Sequence, residues 1–339
     1  MAPKFLTDHS VEYGAVDDVS PLIRRVTAEN PSVFTFHGTG TYVIGRGEVA
    51  VIDPGPAIEA HIDALVEGLK GETITHILIT HTHSDHSPGA ALLKEHTDAP
   101  TYAFGPTPVA EGMRPSELDG LFPETEEEKA ERKEKTERKE KAKAAGHDHD
   151  KESIDTDFVP DVLVPHEGVI AGTGWTVEAL HTPGHISNHH CFSLKEEKAL
   201  FSGDHVMGWS TTVVPPPDGD LTAYLASLEL LIPRDEELYY PTHGPAIPEP
   251  QEFVKELLAH RHNRSAQILA LLEQEPHTIE QMVLSMYAAV NPKLYRPASA
   301  SVLSHLWQLI DAGRIHVVDD GQPTERMKVP STARYAVTS

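Results

Sequence analysis

The sequence predicts an α/β protein built as an αββα sandwich, with a helical domain appended after it. The first observation is an alternation of strand-like and helical patterns, as in residues 48–52, whose apolar run precedes a helical stripe. That stripe consists of Ile58, Ile62, Leu65, Val66 and Leu69. The second is that polar side chains repeatedly stand where an apolar run ends, as they do when an α/β scaffold builds a site at one rim. The third is a change from strand to helix patterns beyond His243.

A buried strand is predicted at residues 73–80, which are mostly apolar or β-branched. The loop that follows it contains four side chains that can bind a metal. They are His81, His83, Asp85 and His86. Imidazole and carboxylate groups suit zinc or a similar divalent ion, so the loop predicts a metal site. Ser87 and Pro88 then predict a helix that begins immediately after the loop.

Three further candidate ligands each follow a strand-like run, with a glycine nearby to turn the chain. His185 ends the segment HTPGH, Asp204 ends FSGD, and His243 lies in YPTHG. Because strand ends on the same rim of a sheet lie close together, we expect these side chains to join the loop at residues 81–86 in one site.

These motifs resemble the metallo-β-lactamase fold superfamily over roughly residues 20–250, apart from an insertion. The resemblance implies the fold of that superfamily and two zinc ions, with manganese and iron left open because ligand type alone does not separate them. It assigns one ion to His81, His83 and His185. It assigns the other to Asp85, His86 and His243, with Asp204 bridging the two.

The implied reaction is hydrolysis by a hydroxide that bridges the zinc ions, since two cations about 3.5–4 Å apart ionise a bound water near neutral pH. Asp85 is the candidate catalytic residue, because it can bind one ion and orient the hydroxide. The redox-active diiron branch has an acidic residue where this chain has His83, which disfavours oxygen chemistry. Single-iron sulfur dioxygenases share some of the motifs and are a less favoured alternative.

Two residues are predicted to support the ligands. Asp53 resembles the aspartate that supports the metal loop in the superfamily, although Asp53-Pro-Gly could equally be a simple turn. His189, four residues after His185, matches a histidine of similar members and would orient a ligand.

Composition indicates a reducing, aqueous compartment. The single cysteine, Cys191, permits no disulfide within the chain. The N-terminal residues lack the apolar core of a secretory signal, and no segment approaches the roughly 20 apolar residues of a membrane span. We therefore expect a cytoplasmic protein with no membrane partner, which lowers the rank of an exported antibiotic-degrading lactamase.

The net charge of −24 belongs mainly to the predicted catalytic domain, residues 1–250. Residues 251–339 have nine basic and nine acidic side chains, and an insertion at about residues 111–157 has ten and sixteen. An acidic domain is poorly suited to nucleic acid, whose binding depends on Lys and Arg. Residues 124–143 of the insertion are Glu/Lys-rich without an apolar face, which predicts a hydrated excursion outside the core. His147 and His149 after it could bind a metal weakly.

Residues 251–339 predict a C-terminal all-helical winged-helix domain, with only a short wing at residues 314–318 and 334–337. The third helix, residues 299–312, would contact DNA in such a module, but it contains no Lys or Arg. We therefore expect no DNA partner. Packing against the catalytic domain or in a homodimer is the favoured role.

The whole layout resembles the branch of the superfamily named for β-lactamase-like protein 2. The motifs that carry this likeness lie at residues 41–45, 51–55, 211–214 and 260–264, besides the metal motifs. The animal member of that branch cleaves single-stranded RNA, but the insertion and the acidic domain depart from it. A hydrolase of a small acyl substrate (ester, thioester, lactone or lactam) ranks first, an endoribonuclease acting on RNA second, and a non-catalytic metal-binding scaffold third.

Overall fold

A computed structural model describes residues 3–108, 118, 120–122, 154–289, 291–318 and 331–338. Its catalytic part consists of two stacked β-sheets. The first sheet has seven strands in chain order: β1 (Val16–Asp18), β2 (Ile23–Thr27), β3 (Gly40–Ile44), β4 (Glu48–Ile52), β5 (Thr73–Leu78), β6 (Thr101–Ala103) and β7 (Val162–Leu163). Strands β1 to β4 are antiparallel, and β4 to β7 are parallel.

The second sheet has six strands in the order β13-β12-β11-β10-β9-β8. They are β8 (Gly168–Gly172), β9 (Trp175–His181), β10 (His190–Leu194), β11 (Ala199–Gly203), β12 (Leu238–Pro241) and β13 (Ile247–Pro248). Only the pair β11–β12 is parallel, and a short 3-10 helix at Lys195–Glu197 connects β10 to β11.

Four helices cover the outer faces of the two sheets. Helices α1 (Glu59–Gly68) and α2 (Gly89–Leu93) pack on the first sheet, and α3 (Leu221–Leu231) and α4 (Pro250–Leu272) pack on the second. The core between the sheets is aromatic and aliphatic. Its buried members include Tyr42, Ile44, Ile52, Trp175, Phe192 and Phe201. The predicted αββα sandwich is confirmed.

The predicted first strand–helix unit is present at its predicted place. Strand β4 spans residues 48–52, and four of its five side chains are buried. Ile62 and Leu65 of the predicted stripe pack in the core under α1, with Val66 at its edge. Alternation between a fully buried strand and an amphipathic helix therefore located both elements.

The predicted start of α2 needs a correction. The helix begins at Gly89 without a side-chain cap, and the Ser87 hydroxyl donates to Asp155 Oδ2 at 2.7 Å instead. The helix start is fixed by tertiary contact: the Gly89 amide donates to Gly55 O, and a Cβ at position 89 would lie 2.6 Å from Pro54 O. A glycine that lets two backbones touch overrides the local capping signal.

The C-terminal domain contains helices α5 (Ile279–Met286) and α6 (Tyr295–Asp311), with a 3-10 turn at Pro292–Leu294 before α6. Its description as all-helical is wrong in one respect, because three short strands form a sheet in the order β14-β16-β15. They are β14 (His277–Thr278), β15 (Ile315–Val317) and β16 (Arg334–Val337). The two predicted wing segments correspond to β15 and β16, and β14 adds a third strand that is too short to show in the sequence.

Helix α4 contributes to both domains. Phe253, Val254 and Leu257 belong to the core beneath the second sheet, whereas Ile268 and Leu272 belong to the C-terminal core. The helix begins at Pro250, the last residue of the predicted catalytic domain. One continuous helix thus contributes side chains to both cores.

Only a few residues of the predicted insertion are described. Leu118 is buried in the C-terminal core, Phe122 packs against its edge, and the Phe122 carbonyl accepts from Arg296 Nε at 2.9 Å. Part of the insertion therefore contacts the C-terminal domain. The charged run 124–143 and its neighbours His147 and His149 lie outside the described residues. Among the residues that the structure does describe, no helix has the length and apolarity needed to cross a membrane.

Candidate metal centre

Seven buried ligand-type side chains come together at the ends of four strands. The loop after β5 supplies His81, His83, Asp85 and His86, the β9–β10 loop supplies His185, and the segments after β11 and β12 supply Asp204 and His243. They form three overlapping groups whose ligand atoms lie within 4.8 Å of one another. These groups are His81/His83/His185, His81/His86/Asp204 and Asp85/His86/His243. The structure thus brings together the seven residues that the superfamily resemblance assigns to the two ions.

The first group consists of three imidazoles directed at one point. His83 Nδ1 lies 2.9 Å from His81 Nε2 and 2.9 Å from His185 Nε2. Burial, followed by neighbouring histidines, lowers the pKa of His81 well below its usual value. Burial and His185 lower the pKa of His83 to about 3, and burial lowers that of His185. All three rings are therefore neutral at pH 7, which is the form that binds metals.

The second group mixes imidazole and carboxylate. His243 Nε2 lies 3.1 Å from Asp85 Oδ2, and His86 Nε2 lies 3.6 Å from the same oxygen. Burial alone would lower the pKa of His243, but the carboxylates of Asp204 and Asp85 outweigh it and raise the pKa to about 10. Burial is likewise outweighed at His86, chiefly by Asp85 and Asp204, so its pKa rises well above the usual value. Burial would raise the pKa of Asp85, but His86 and His243 outweigh it and lower the pKa to about 2.

Asp204 lies between the two groups. Its Oδ1 is 3.5 Å from His243 Nε2, and its Oδ2 is 3.7 Å from His86 Nε2 and 3.8 Å from His185 Nε2. Burial would raise the pKa of this carboxyl, but His243 and His86 outweigh it and hold the pKa well below its usual range. A single ionised carboxylate therefore contacts ligands of both groups.

Several of these atoms lack a hydrogen-bond partner among the described residues. They are Asp85 Oδ1, His86 Nε2, Asp204 Oδ1 and His243 Nε2, all buried. Buried polar atoms without partners are costly unless a ligand satisfies them. Convergent neutral nitrogens, anionic oxygens and unsatisfied atoms at one place fit a metal-binding cluster, so the residues present match the expected cofactor.

Asp53 forms hydrogen bonds to one candidate ligand and to residues next to two others. Its Oδ1 accepts the Thr80 amide at 2.8 Å, and its Oδ2 accepts the Thr80 hydroxyl at 2.7 Å and the Thr242 hydroxyl at 3.2 Å. Oδ2 also accepts from His86 Nδ1 at 2.8 Å. A carboxylate that accepts Nδ1–H leaves the Nε2 lone pair of the neutral ring directed at the cluster. Asp53 thus joins the ends of β5 and β12 and orients one candidate ligand.

His189 lies next to the cluster but acts on the backbone. Its Nε2 accepts the Asp204 amide at 3.1 Å, and its Nδ1 lies 2.9 Å from the Thr182 hydroxyl. Burial and neighbouring histidines lower its pKa well below the usual value, so the ring is neutral and one nitrogen can accept. It holds the turn that carries Asp204 and forms no hydrogen bond to a ligand side chain among the described residues.

Two further contacts orient ligands through backbone carbonyls that sequence reasoning missed. His185 Nδ1 donates to Val213 O at 2.6 Å, and His243 Nδ1 donates to Gly38 O at 3.1 Å. Both carbonyls come from loops distant in sequence from the histidine they hold. A carbonyl is present at every position, so no residue type marks these two in the sequence.

Several apolar side chains lie on the loops that carry the ligands or hold them in place. Trp209 packs over Gly244, where an added Cβ would lie 2.8 Å from the indole, and Phe36 stacks on Trp209 with ring centroids 4.8 Å apart. Phe34 and Val213 are exposed on the loops whose carbonyls hold His243 and His185. These loops therefore carry apolar surface near the ligands in the chain.

Comparison with known proteins agrees with this architecture. Residues 35–243 match the family model of the metallo-beta-lactamase superfamily, and residues 278–322 match the beta-lactamase associated winged helix domain. The chain belongs to the metallo-beta-lactamase superfamily, which supports a hydrolase. It is 26% identical to the lactamase-like protein adaB of Aspergillus niger, over 92% of this chain and 86% of that one. It is 30% identical to an atrochrysone carboxyl ACP thioesterase of Passalora fulva, over 80% and 70% of the two chains.

Solved structures show the same fold. A beta-lactamase domain protein from Burkholderia ambifaria superposes with a TM-score of 0.70 at 19% identity, covering 98% of this chain and 96% of that one. A metallo-beta-lactamase family protein from Thermus thermophilus superposes with a TM-score of 0.62 at 21% identity, covering 94% and 100%. Both likenesses extend over the sandwich and the C-terminal domain together.

Proposed function

We propose that this protein is a metal-dependent hydrolase that acts on an acyl compound and uses two zinc ions. The observation that carries the proposal is the pair of adjoining buried ligand groups with the Asp204 carboxylate between them. One ion would be held by His81, His83 and His185. The other would be held by Asp85, His86 and His243, with Asp204 shared. Five imidazoles and two carboxylates suit a borderline divalent ion, and zinc is chosen over manganese or iron as the ion that this mixed donor set commonly binds.

Zinc ions at these positions would supply a water nucleophile at neutral pH and stabilise the oxyanion that develops on the substrate. The protein's own contribution begins with Asp85, whose side chain is 13% exposed. Its Oδ2 faces His243 Nε2, whereas Oδ1 has no hydrogen-bond partner among the described residues. We assign to this second oxygen the orientation of the attacking hydroxide, which is the proposed catalytic role of Asp85.

The proposed substrate is an ester or thioester with an apolar acyl group. Trp209, stacked with Phe36 beside Gly244, and Val213, next to the loop carbonyls, offer apolar side chains near the ligands for such a group. Similar proteins named as acyl-carrier-protein thioesterases support the thioester within this class. The chain's net charge of −24 opposes a polyanionic substrate such as RNA.

We assign no DNA-binding role to the winged-helix domain. Its α6 is the counterpart of a recognition helix, yet ten of its seventeen residues are buried, and of those whose exposure is described only Pro297 and Asp311 are exposed rather than partly buried. A helix enclosed in this way offers no free face to a major groove. Of the two roles predicted from its sequence, we favour packing against the catalytic domain, and the hydrogen bond from the Ser304 hydroxyl to Val214 O supports this role. The proposed place of action is the cytoplasm, on the basis of the single cysteine.

Metal analysis followed by a turnover panel tests this function. The purified protein is expected to contain two zinc ions per chain and to hydrolyse thioesters and esters with apolar acyl groups in preference to lactones, lactams and single-stranded RNA. A chelator should abolish turnover, and added zinc should restore it. RNA cleavage with steeply salt-dependent RNA association would favour the endoribonuclease instead. Bound metal without turnover on any class would indicate the scaffold.

Metal binding is expected to release protons at one ligand group and not at the other. Without metal, His86 and His243 have raised pKa values, and His243 stays protonated until about pH 10, whereas the first group is neutral at pH 7. The ion pairs of His243 stabilise the metal-free protein fully below pH 6.5, and this contribution is lost as pH rises through about 10. Since proton and metal compete for the same nitrogen, the affinity of the second group should rise with pH over that window.

Calorimetric titration in buffers of different ionisation enthalpy measures this release. At pH 7.5 we expect about two protons released for the ion bound by Asp85, His86 and His243, and close to none for the other ion. The variant His243→Gln should lower the total by about one proton. Equal release by both ions would contradict the assignment.

A further inference from the structure

Three consecutive backbone carbonyls of the loop at residues 212–214 each accept a hydrogen bond from a different part of the molecule. Thr212 O accepts from Arg261 Nη2 of α4, and Val213 O accepts from His185 Nδ1 at 2.6 Å. Val214 O accepts from the Ser304 hydroxyl of α6 at 2.5 Å. A candidate metal ligand and the C-terminal helices therefore hold adjacent peptide units of one short loop.

The same loop is fixed to the backbone around Asp204. The Thr212 hydroxyl lies 2.9 Å from Asp204 O and 3.0 Å from His205 O, to either of which it can donate. Tyr224 OH donates to His205 O at 3.1 Å, and the Arg261 guanidinium lies 5.3 Å from the Tyr224 ring centroid. Arg261 thus braces both the loop and the tyrosine that supports the segment after Asp204.

Burial makes these contacts hard to replace. Thr212 is 1% exposed, and Val214, Arg261 and Ser304 are each 5% exposed, so water has little access to the carbonyls if a donor is removed. An unsatisfied buried carbonyl tends to move toward another donor. The Ser304 hydroxyl also lies 2.9 Å from a second acceptor, Ala300 O. Because a hydroxyl has only one proton, we assign its hydrogen bond to the shorter contact, with Val214 O.

We propose that Ser304 and Arg261 are positioning residues for the metal centre, through which the C-terminal domain sets the orientation of the His185 imidazole. The proposal rests on the proposed function in so far as His185 binds a metal. Because the carbonyls of Thr212 and Val214 flank that of Val213, anchoring them fixes the direction of the carbonyl that accepts from His185. The coupling is reciprocal: a metal held by His185 stabilises the docking of α6 on the loop.

The test compares Ser304→Ala with Ser301→Ala in the full chain. Both remove a serine hydroxyl from the same helix, but Ser301 is only partly buried, and its hydroxyl forms no hydrogen bond to another described residue. Zinc affinity is measured by competition with a chelating dye, together with thermal unfolding with and without zinc. Ser304→Ala is expected to lower the affinity of the ion held by His185 by about fivefold or more and to reduce the zinc-induced rise in Tm, whereas Ser301→Ala leaves both unchanged.

A second measurement separates this proposal from the proposed function. The imidazole ¹⁵N resonances of His185, assigned by comparison with His185→Asn, report its Nδ1–H···O hydrogen bond in the metal-free protein. We expect Ser304→Ala to shift them and Ser301→Ala to leave them in place. If the protein bound no zinc, or bound zinc without hydrolysing any substrate, the proposed function would be refuted. The His185 resonances of the metal-free protein could still be compared between the variants. Unchanged resonances and unchanged zinc affinity in Ser304→Ala would overturn the positioning role, even if that variant were less stable.

Conservative replacement gives an independent check at the other anchor. Arg261→Lys keeps a cationic donor near Thr212 O, whereas Arg261→Met keeps the aliphatic stem without a donor. Weaker zinc binding in Arg261→Met with recovery in Arg261→Lys supports a role through the loop. Equal loss in both, with unshifted His185 resonances, contradicts it.

Discussion

Replacing Asp204 with asparagine is expected to release at least one metal ion and to reduce hydrolysis by about 100-fold or more. The asparagine keeps the size of the side chain but removes the negative charge that lies between the two ligand groups. The Asp204 carboxylate is within 3.8 Å of ligand nitrogens from both groups. Without this negative charge, two dications at these sites would repel each other more strongly. The ion that binds second should therefore be lost first.

Metal content after gel filtration and kcat/KM for a thioester measure this effect. Asp235→Asn is the matched control, because it also removes one carboxylate charge but lies at the surface facing Lys198. It should retain both metals and full turnover. Full metal occupancy with wild-type turnover in Asp204→Asn would refute the bridging position of this carboxylate.

The ligand set was predictable because its signal is local. His81, His83, Asp85 and His86 lie within six residues, and the remaining ligands each end an apolar run beside a glycine. Residue type and strand-end position are both readable from the chain, and strand ends on one rim must lie close together. The structure accordingly brings the seven side chains into three overlapping groups, each with its ligand atoms within 4.8 Å of one another.

The contacts that orient the ligands were predictable only where a side chain, rather than a backbone carbonyl, makes the contact. Asp53 ends a buried strand and resembles the aspartate that supports the metal loop in the superfamily, and its carboxylate does hold His86. The carbonyls of Gly38 and Val213 hold two other histidines, but their residue types show nothing of it. Such contacts depend on the path of a distant loop, which is set by tertiary packing.

The packing of the two domains against each other could not be predicted from the sequence, because it also depends on tertiary contacts. The apolar stripe of α4 reads as one amphipathic helix, yet Val254 packs under the catalytic sheet and Ile268 in the C-terminal core. Periodicity gives the buried face of a helix but not the identity of what covers it. Leu118 and Phe122 of the insertion also contact the C-terminal core, and no sequence pattern indicated that contact.

Replacing Asp53 with asparagine is expected to weaken binding of the metal held by His86 while leaving the His81/His83/His185 group able to bind. The aspartate Oδ2 accepts from His86 Nδ1, so the neutral ring has its lone pair on Nε2, directed at the cluster. An asparagine amide placed there would donate to Nδ1, and the neutral ring would then have its proton on Nε2, where the metal should bind. Asparagine also suits the backbone at this position, since residue 53 has a φ of 47° that Asn tolerates better than Ala.

The expected loss of affinity at the second ion is about 10- to 100-fold, the usual effect of removing a partner that orients a ligand. Asp161→Asn is the matched control, because Asp161 accepts the amide and hydroxyl of Thr101 as Asp53 accepts those of Thr80, but contacts no candidate ligand. Stepwise zinc titration with a chelating dye distinguishes the two ions. We expect one of the two steps to weaken in Asp53→Asn and neither in Asp161→Asn. Since the first group depends on Val213 O rather than on Asp53 to orient His185, an equal loss of both ions would show that Asp53 stabilises the whole rim rather than one ring.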